Sequence, residues 1–518
     1  LDAVFKRLAM KPPVTHLVWV IGLVVCATAM ASRSSGSESV TPPANTSTLA
    51  PALAPTLAIV GATLIDGTGR PPIPDSVIEL AGDRILAAGP RGSIIVPKGT
   101  KILKATGKWI MPGMIDAHVH FHETGRIYTA PGALNLTAVV SYDDEIKWMK
   151  QRVPVTLGRY LCAGVTTAIS VGGPHFEYEV RDAAMRMEKA PNVFVAQGPI
   201  IAVPIGPDIF PKIDGDDATR TIATASDARR EVQRGVSWGA DLIKAGYLGE
   251  AFTKRLEAGH PDKAATDVEA HYFDLLLPAL IAEAHLHGLP VAIHVTELDA
   301  AKKSLRAGVD SIAHTMNDHE VDDEFLQLAL AHHTPVMTTL ALWARQVQAR
   351  TGHVPLTPME MRCGDPEVIS SWSAVKNLPA VPDSMIEAGY SRQRIAMINV
   401  KRMHGAGIPL VVGVDAGNIG LLHGATVHEE IALLREAGIP PMDIILAATR
   451  NAAGIVRKDG ILGTIEAGKL ADLLILTRDP LLDIRNVDAI DRVVKSGRIY
   501  REAELLPPRT PASKAISP

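Results

Sequence analysis

Two hydrophobic patterns divide the chain from Leu57 onward. Short β-type runs come first: LAIVGATLI, SVIELAGDRILAAG and KILKATGKWIM, separated by Gly and Asp turns as hairpins require. Runs of the same kind, GTIEAGKLADLLILT and DAIDRVVKSGRIY, return near the far end. They predict a small β-sandwich assembled from residues 56–108 and 457–503, with a tail at 504–518. Between them, over 109–456, apolar strand-like runs alternate with helical stretches: HVHFH, GVTTAISVG, NVFVAQGPI, GADLIKAG, LPVAIHV, VDSIAHT, TPVMTTLAL and IPLVVGVDAG. Strands that are apolar on both faces and separated by helices belong in a parallel sheet. Eight of them give an α/β fold of the (β/α)₈ barrel type. Two long connections, about Phe121 to Leu161 and about Trp343 to Gly407, are expected to build the walls and lid of a site.

The N-terminal pattern differs. Lys6, Arg7 and Lys11 precede the apolar run Leu17 to Ala31, which is shorter than the roughly 20 residues that span a bilayer. Ala29-Met30-Ala31 fits a small-x-small cleavage site, so residues 1–31 read as a secretory signal peptide. Residues 32–55, rich in Ser, Thr, Pro and Ala, read as a disordered linker. The protein is therefore expected to be exported, periplasmic or secreted, touching a membrane only if the N-terminal segment stays uncleaved.

Composition changes the picture in three places. A content of 47% hydrophobic and 21% charged residues excludes a wholly disordered chain. A formal net charge of −4 lacks the basic excess that binding a phosphate backbone requires, which argues against a nucleic-acid partner. Beyond Cys26 only Cys162 and Cys363 remain; these two make no disulfide framework and read as packing residues. Eighteen His against eight Phe and eight Tyr directs the search toward metal ligands.

The strongest local signal is MPGMIDAHVHFH, residues 111–122. His118 and His120 are two apart, so on a strand both imidazoles face one side and can meet one metal ion. Four later strands each end in a ligand-type residue: Lys244 in ADLIK, His294 in VAIH, His314 in SIAHT and Asp415 in LVVGVD. Each alone has a plainer reading, as a hydrogen-bonded core His, a snorkelling Lys or a helix-capping Asp. Five strand ends on one barrel rim outweigh those readings together.

This set, with LIDGTG at 64–69, ATRNAA at 448–453 and GKLADL at 468–473, resembles the amidohydrolase superfamily over roughly Leu57 to Tyr500. It resembles more nearly still the imidazolonepropionase-like and Xaa-Pro dipeptidase (prolidase-like) members, which include ochratoxin-hydrolysing amidohydrolases. The resemblance implies two divalent metal ions, usually Zn²⁺, bridged by a CO₂-derived carbamate on Lys244. His118, His120 and Asp415 would hold one metal, and His294 and His314 the other. It further implies hydrolysis of a C–N bond by metal-bound hydroxide, with Asp415 as the catalytic general base and then acid. A homo-oligomer is implied as well. Tyr247, three residues after Lys244, His423 on the loop after strand eight and His175 after strand two are candidate substrate-binding residues. His122 is expected to rise past the metal toward a lid or the surface, whereas His271, His285, His287, His332 and His333 read as solvated. The chain departs from relatives where IAVPIGPD replaces a Gly-Gly-His run and where strand five continues as His294-Val-Thr-Glu.

The favoured substrate is an amide: a dipeptide, an N-acyl amino acid or an ochratoxin-like aryl amide. An alternative is a cyclic amide, carbamate or urea. A barrel kept only for binding should lack a ligand, and none is missing.

Overall fold

The computed structural model describes residues 54–131, 133–202, 212–249 and 265–506. The expected export segment, the linker up to residue 53 and the tail from residue 507 lie outside them.

Strands β1 (Leu57–Val60), β2 (Thr63–Leu64), β3 (Ser76–Ala81), β4 (Arg84–Pro90), β5 (Lys101–Lys104) and β6 (Trp109–Pro112) come first. The last strands are β16 (Leu473–Leu476), β17 (Ile490–Lys495) and β18 (Arg498–Tyr500). They form two sheets, β4-β3-β1-β5 and β18-β17-β16-β6-β2. Strand β16 pairs antiparallel with β6, joining residues more than 360 positions apart, Leu473 to Pro112. Strand β6, which the bounds 109–456 count with the barrel although its run KILKATGKWIM reads as sandwich, lies in the five-stranded sheet. Ile59, Ile78, Ile110, Leu473 and Ile475 share the core between the two sheets.

The eight apolar runs become β7 (Met114–Val119), β8 (Val165–Ser170), β9 (Asn192–Ile201), β11 (Leu242–Gly246), β12 (Val291–His294), β13 (Ser311–Ala313), β14 (Val336–Met337) and β15 (Leu410–Val411). A short strand, β10 (Arg220–Thr221), pairs at the edge of β9. The eight lie side by side in chain order, all parallel. Hydrogen bonds from Ala117 N–H to Val412 O (3.0 Å) and from Asp415 N–H to His118 O (2.8 Å) bring the ends together into a nearly closed barrel. The buried Asp116 carboxylate reinforces that seam by accepting from the backbone N–H groups of His118 and Val414.

Inside the barrel, Ile115, Ala117, Ile169, Ala196, Leu242, Ala292, Ala313, Met337 and Val411 make an apolar layer, closed from beneath by the helix Arg450–Ile455. The ligand-type residues lie at the opposite, carboxyl end. There the two long connections pack on each other: Ile127 and Leu136 meet Val368, Trp372 and Val375. Trp372 Nε1–H donates to Gly125 O at 2.9 Å. Cys162 and Cys363, read as separate packing residues, are instead joined in a disulfide that ties the helix Tyr142–Cys162 to the helix Pro358–Cys363. Among the described residues no helix is long and apolar enough to cross a membrane.

Candidate active site

Strand β7 delivers the His pair through an irregularity. Its register against β8 shifts between Asp116 and Val119. Ile115 and Ala117 belong to the interior layer while Val119 packs in the outer core. The shift changes which parity faces inward, and both His118 and His120 line the cavity at the barrel mouth. Lys244 sits at a second shift, between Ile243 and Ala245 of β11. There Gly198 lets β9 approach, because a Cβ on it would lie 2.2 Å from Lys244 O. His294 ends β12, and His314 and Asp415 follow β13 and β15. His314 (φ 79°) and Asp415 (φ 62°) are held in the left-handed region, as is Thr339 (φ 44°) after β14. Such backbones cost on the order of 1–3 kcal/mol each and persist where surrounding structure fixes them.

All six expected ligands line one cavity of about 190 Å³. Asp415 Oδ1 lies 3.3 Å from His118 Nε2 and 3.2 Å from His120 Nε2. His314 Nε2 is 2.9 Å from His294 Nδ1, and the His118 and His314 rings are 4.6 Å apart. His120 Nδ1–H donates to Gly172 O at 2.8 Å, which leaves Nε2 for the cavity. His314 Nδ1 is likewise anchored on Thr339 Oγ1 at 3.0 Å.

Burial and charge separate these groups electrostatically. Burial, seconded by Lys244, pushes His118 down to about 3. Burial also lowers His294, to about 4, and drives His314 well below the usual range. For His120 burial works the same way, but contact with Asp415 wins and raises it to about 9. Asp415 itself, despite burial, is held well below the usual carboxylate range by His118 and His120. Burial lowers Lys244 to about 7, with Asp415 opposing.

Two buried atoms aimed into this cluster, Lys244 Nζ and Asp415 Oδ1, have no hydrogen-bond partner. Ligand atoms of His118, His314 and Asp415 all lie within 4.8 Å of one another. Nitrogen and carboxylate donors at that spacing, with orphaned polar atoms beside them, fit a divalent cation.

The expected substrate residues fare differently. Tyr247 is buried on Tyr272 and Phe273, its backbone N–H donating to His294 O at 2.9 Å, while its neighbour Leu248 lines the cavity. His175 precedes the helix Phe176–Arg186, half exposed, with its ring against Tyr178 and Trp238, and does not line the cavity. His423 stands behind the cavity wall: Nε2–H donates to Glu123 O at 2.9 Å and Nδ1 accepts from the Tyr160 hydroxyl at 2.9 Å. His122, expected near a lid or the surface, is buried and lines the cavity, its Nδ1 2.7 Å from Glu177 Oε1. The chain turns after His120, so the strand geometry that would have lifted His122 away no longer applies. Glu123 and Asn418 also line the cavity without having been singled out. A Glu directly after His-x-His-x-His was the available signal. The five His expected to be solvated are exposed.

A parallel barrel carrying a buried His and Asp group that can hold a metal ion, at the carboxyl ends of its strands, defines a barrel hydrolase. The profile of the amidohydrolase family matches residues 109–500, and the chain belongs to that family. An uncharacterized protein of Mycobacterium tuberculosis (strain ATCC 25618 / H37Rv) is 24% identical over 396 residues, 76% of this chain and 86% of that protein. An imidazolonepropionase of Alkaliphilus metalliredigens (strain QYMF) is 20% identical, covering 82% of this chain and 90% of its own. Among solved structures the fold is similar to a Xaa-Pro dipeptidase with methionine bound in its active site (TM-score 0.64, 22% identity, 86% of this chain and 99% of that one). It is also similar to molinate hydrolase (0.66, 23%, 88% and 97%). A third is Aspergillus niger ochratoxinase (0.63, 18%, 86% and 95%).

Proposed function

We propose that this protein is a binuclear metal-dependent amidohydrolase that cleaves the C–N bond of an amide: a dipeptide, an N-acyl amino acid or an ochratoxin-like aryl amide. One observation carries the reading: six ligand-type side chains from five strand ends line a single cavity, with Lys244 Nζ buried there without a hydrogen-bond partner. His118, His120 and Asp415 would hold one cation and His294 and His314 the second, with Lys244 between them. A bare ammonium at that depth is costly. Addition of CO₂ to the Lys244 amine, with loss of one proton, replaces it with an anionic oxygen ligand. Bound divalent metal, zinc by its mixed N/O donors, supplies Lewis acidity toward a carbonyl and a more acidic water.

The chain's own groups do the rest. His120 and His314 are pre-oriented by Gly172 O and Thr339. Asp415, kept ionised, takes a proton from the attacking water and returns it to the leaving nitrogen. The apolar lining of Pro199, Ile201, Ala218 and Leu248 excludes water from the reacting atoms.

The test is the metal-reconstituted protein against a panel of dipeptides, N-acyl amino acids, aryl amides, cyclic amides, carbamates and ureas, with chelator controls. Chelator-sensitive cleavage of amides is expected. Cleavage confined to carbamates, ureas or cyclic amides would replace the amide reading, and chelator-resistant turnover would end the metal one. Mass analysis of the metal-loaded protein should find one CO₂ on Lys244; an unmodified lysine would reject the bridge. Export is part of the same proposal, supported by the Cys162–Cys363 bond, since disulfides persist in oxidising compartments. Localisation to the exported fraction checks it.

A further inference from the structure

Among the described residues, Glu123 is the one cavity-lining acid that the proposed chemistry does not use. It is 5% exposed and lines the same cavity as the ligand set, yet its carboxylate makes no hydrogen bond, and Oε2 is shut off from solvent. Two neighbouring buried acids, Glu177 and Glu145, are treated otherwise. Glu177 accepts from the backbone N–H groups of Phe121 and His122, from the His122 ring and from Ser170 Oγ. Glu145 accepts from Thr124 Oγ1 and pairs with Arg126. Buried carboxylates are normally satisfied in this way, and an orphan needs a reason.

The backbone that carries this side chain is held in place. Glu123 N–H donates to His120 O at 3.2 Å, and its carbonyl accepts from His423 Nε2 at 2.9 Å. Gly417 (φ 105°), two residues past Asp415, packs so closely that a Cβ there would lie 2.9 Å from the Glu123 Cβ and 2.4 Å from His120 O. The His423 clamp, completed by the Tyr160 hydroxyl, therefore fixes the backbone that carries Glu123 rather than a substrate. An acceptor carried on a fixed backbone and left without a hydrogen bond beside the reacting centre is placed for a donor that arrives with the ligand.

We infer that Glu123 is a specificity residue that receives a primary ammonium of the substrate, so that the enzyme acts on amides of amino acids with a free α-amino group in preference to N-acylated or aryl-acyl amides. The inference rests on the amide-hydrolase reading and narrows it. In an aminoacyl amide the ammonium stands on the carbon next to the scissile carbonyl, and Glu123 lines the same cavity as the ligand set. An N-acyl substrate would leave the carboxylate buried against a neutral group.

The experiment uses the metal-reconstituted full chain with L-alanine 4-nitroanilide and its N-acetyl derivative. The free amine should be favoured in kcat/KM by on the order of 100-fold or more, as for other sites whose polar group is stranded by the wrong ligand. Glu123→Gln should erase most of that preference by acting on the free amine alone, chiefly through KM. Titration calorimetry with isobutylamine and isobutanol, neither hydrolysable, supplies an independent readout: the amine should bind, the alcohol should not, and Glu123→Gln should abolish binding. Equal kcat/KM for the two anilides in the wild type overturns the inference and leaves the hydrolase reading standing. So does amine binding that survives in Glu123→Gln, or a variant that loses both substrates equally. If neither anilide is cleaved but the amine binds through Glu123, the amide reading falls and the cation subsite stands. Should Glu123→Gln fail to fold, the wild-type anilide comparison still decides.

Discussion

At the residue scale the cavity separates groups that bear chemistry from groups that aim them. Asp415 is ionised and pointed at two imidazoles, so Asp415→Asn should lower kcat by at least about 10²–10⁴-fold, the usual range for a general acid–base group. Metal content measured by atomic emission should be largely retained, because the four His and Lys244 remain; unchanged turnover would sink the proton shuttle. His423 acts at one remove. His423→Phe keeps the ring stacked on Phe121 but removes the bond to Glu123 O, so KM for a free-amine substrate should rise several-fold at constant metal content. Sequence made the six ligands legible because each closes an apolar strand, where a polar residue stands out. It did not make the aiming groups legible. Thr339, Glu177 and Gly172 touch their His partners across 25, 55 and 52 residues, and no local pattern encodes such a meeting.

Elements are tied by a few buried polar links. Glu430, in the helix Val427–Glu436, accepts from the N–H groups of Leu340 and Ala341 and from the Thr338 hydroxyl, binding that helix to the end of β14. Burial raises its carboxyl to about 7 despite those bonds. A folded-state value above the unfolded one means the folded chain holds the proton more tightly. Stability is then full below about pH 4.5 and falls as pH rises toward 7, by about 3 kcal/mol in all. Denaturant melts across that window should show the slope, and Glu430→Gln should flatten it. The disulfide links two other helices across 201 residues of sequence. In the chain-entropy account so long a loop is worth up to about 5 kcal/mol, so Cys363→Ser should lower the thermal midpoint, and reductant should do the same to wild type but not to the variant. Spacing could not announce this pair. Two cysteines that far apart meet only because one long connection folds back over the barrel mouth.

For the whole molecule, both chain ends are needed by the middle. Strand β16 pairs with β6 and with β17, and Leu473, Ile475 and Val494 complete a core begun by Ile59, Ile78 and Ile110. A chain ended before Leu473 would expose that core and the edge of β6, and should be recovered insoluble or with a collapsed melting transition. Soluble, cooperatively folding product would mean that the sandwich is dispensable.

Sequence alone determined the alternation of strands and helices, the eight-strand count, the sandwich built from both ends and the identity of the metal-ligand candidates. All of these follow from periodicity and from polar residues interrupting apolar runs. Tertiary structure alone decided that a register shift in β7 turns His118 and His120 inward, that His122 and Glu123 join the cavity while His175 and His423 stay outside it, and that Cys162 finds Cys363. Those outcomes depend on local departures from ideal strand geometry and on contacts between residues far apart in sequence, which the spacing of residue types does not carry.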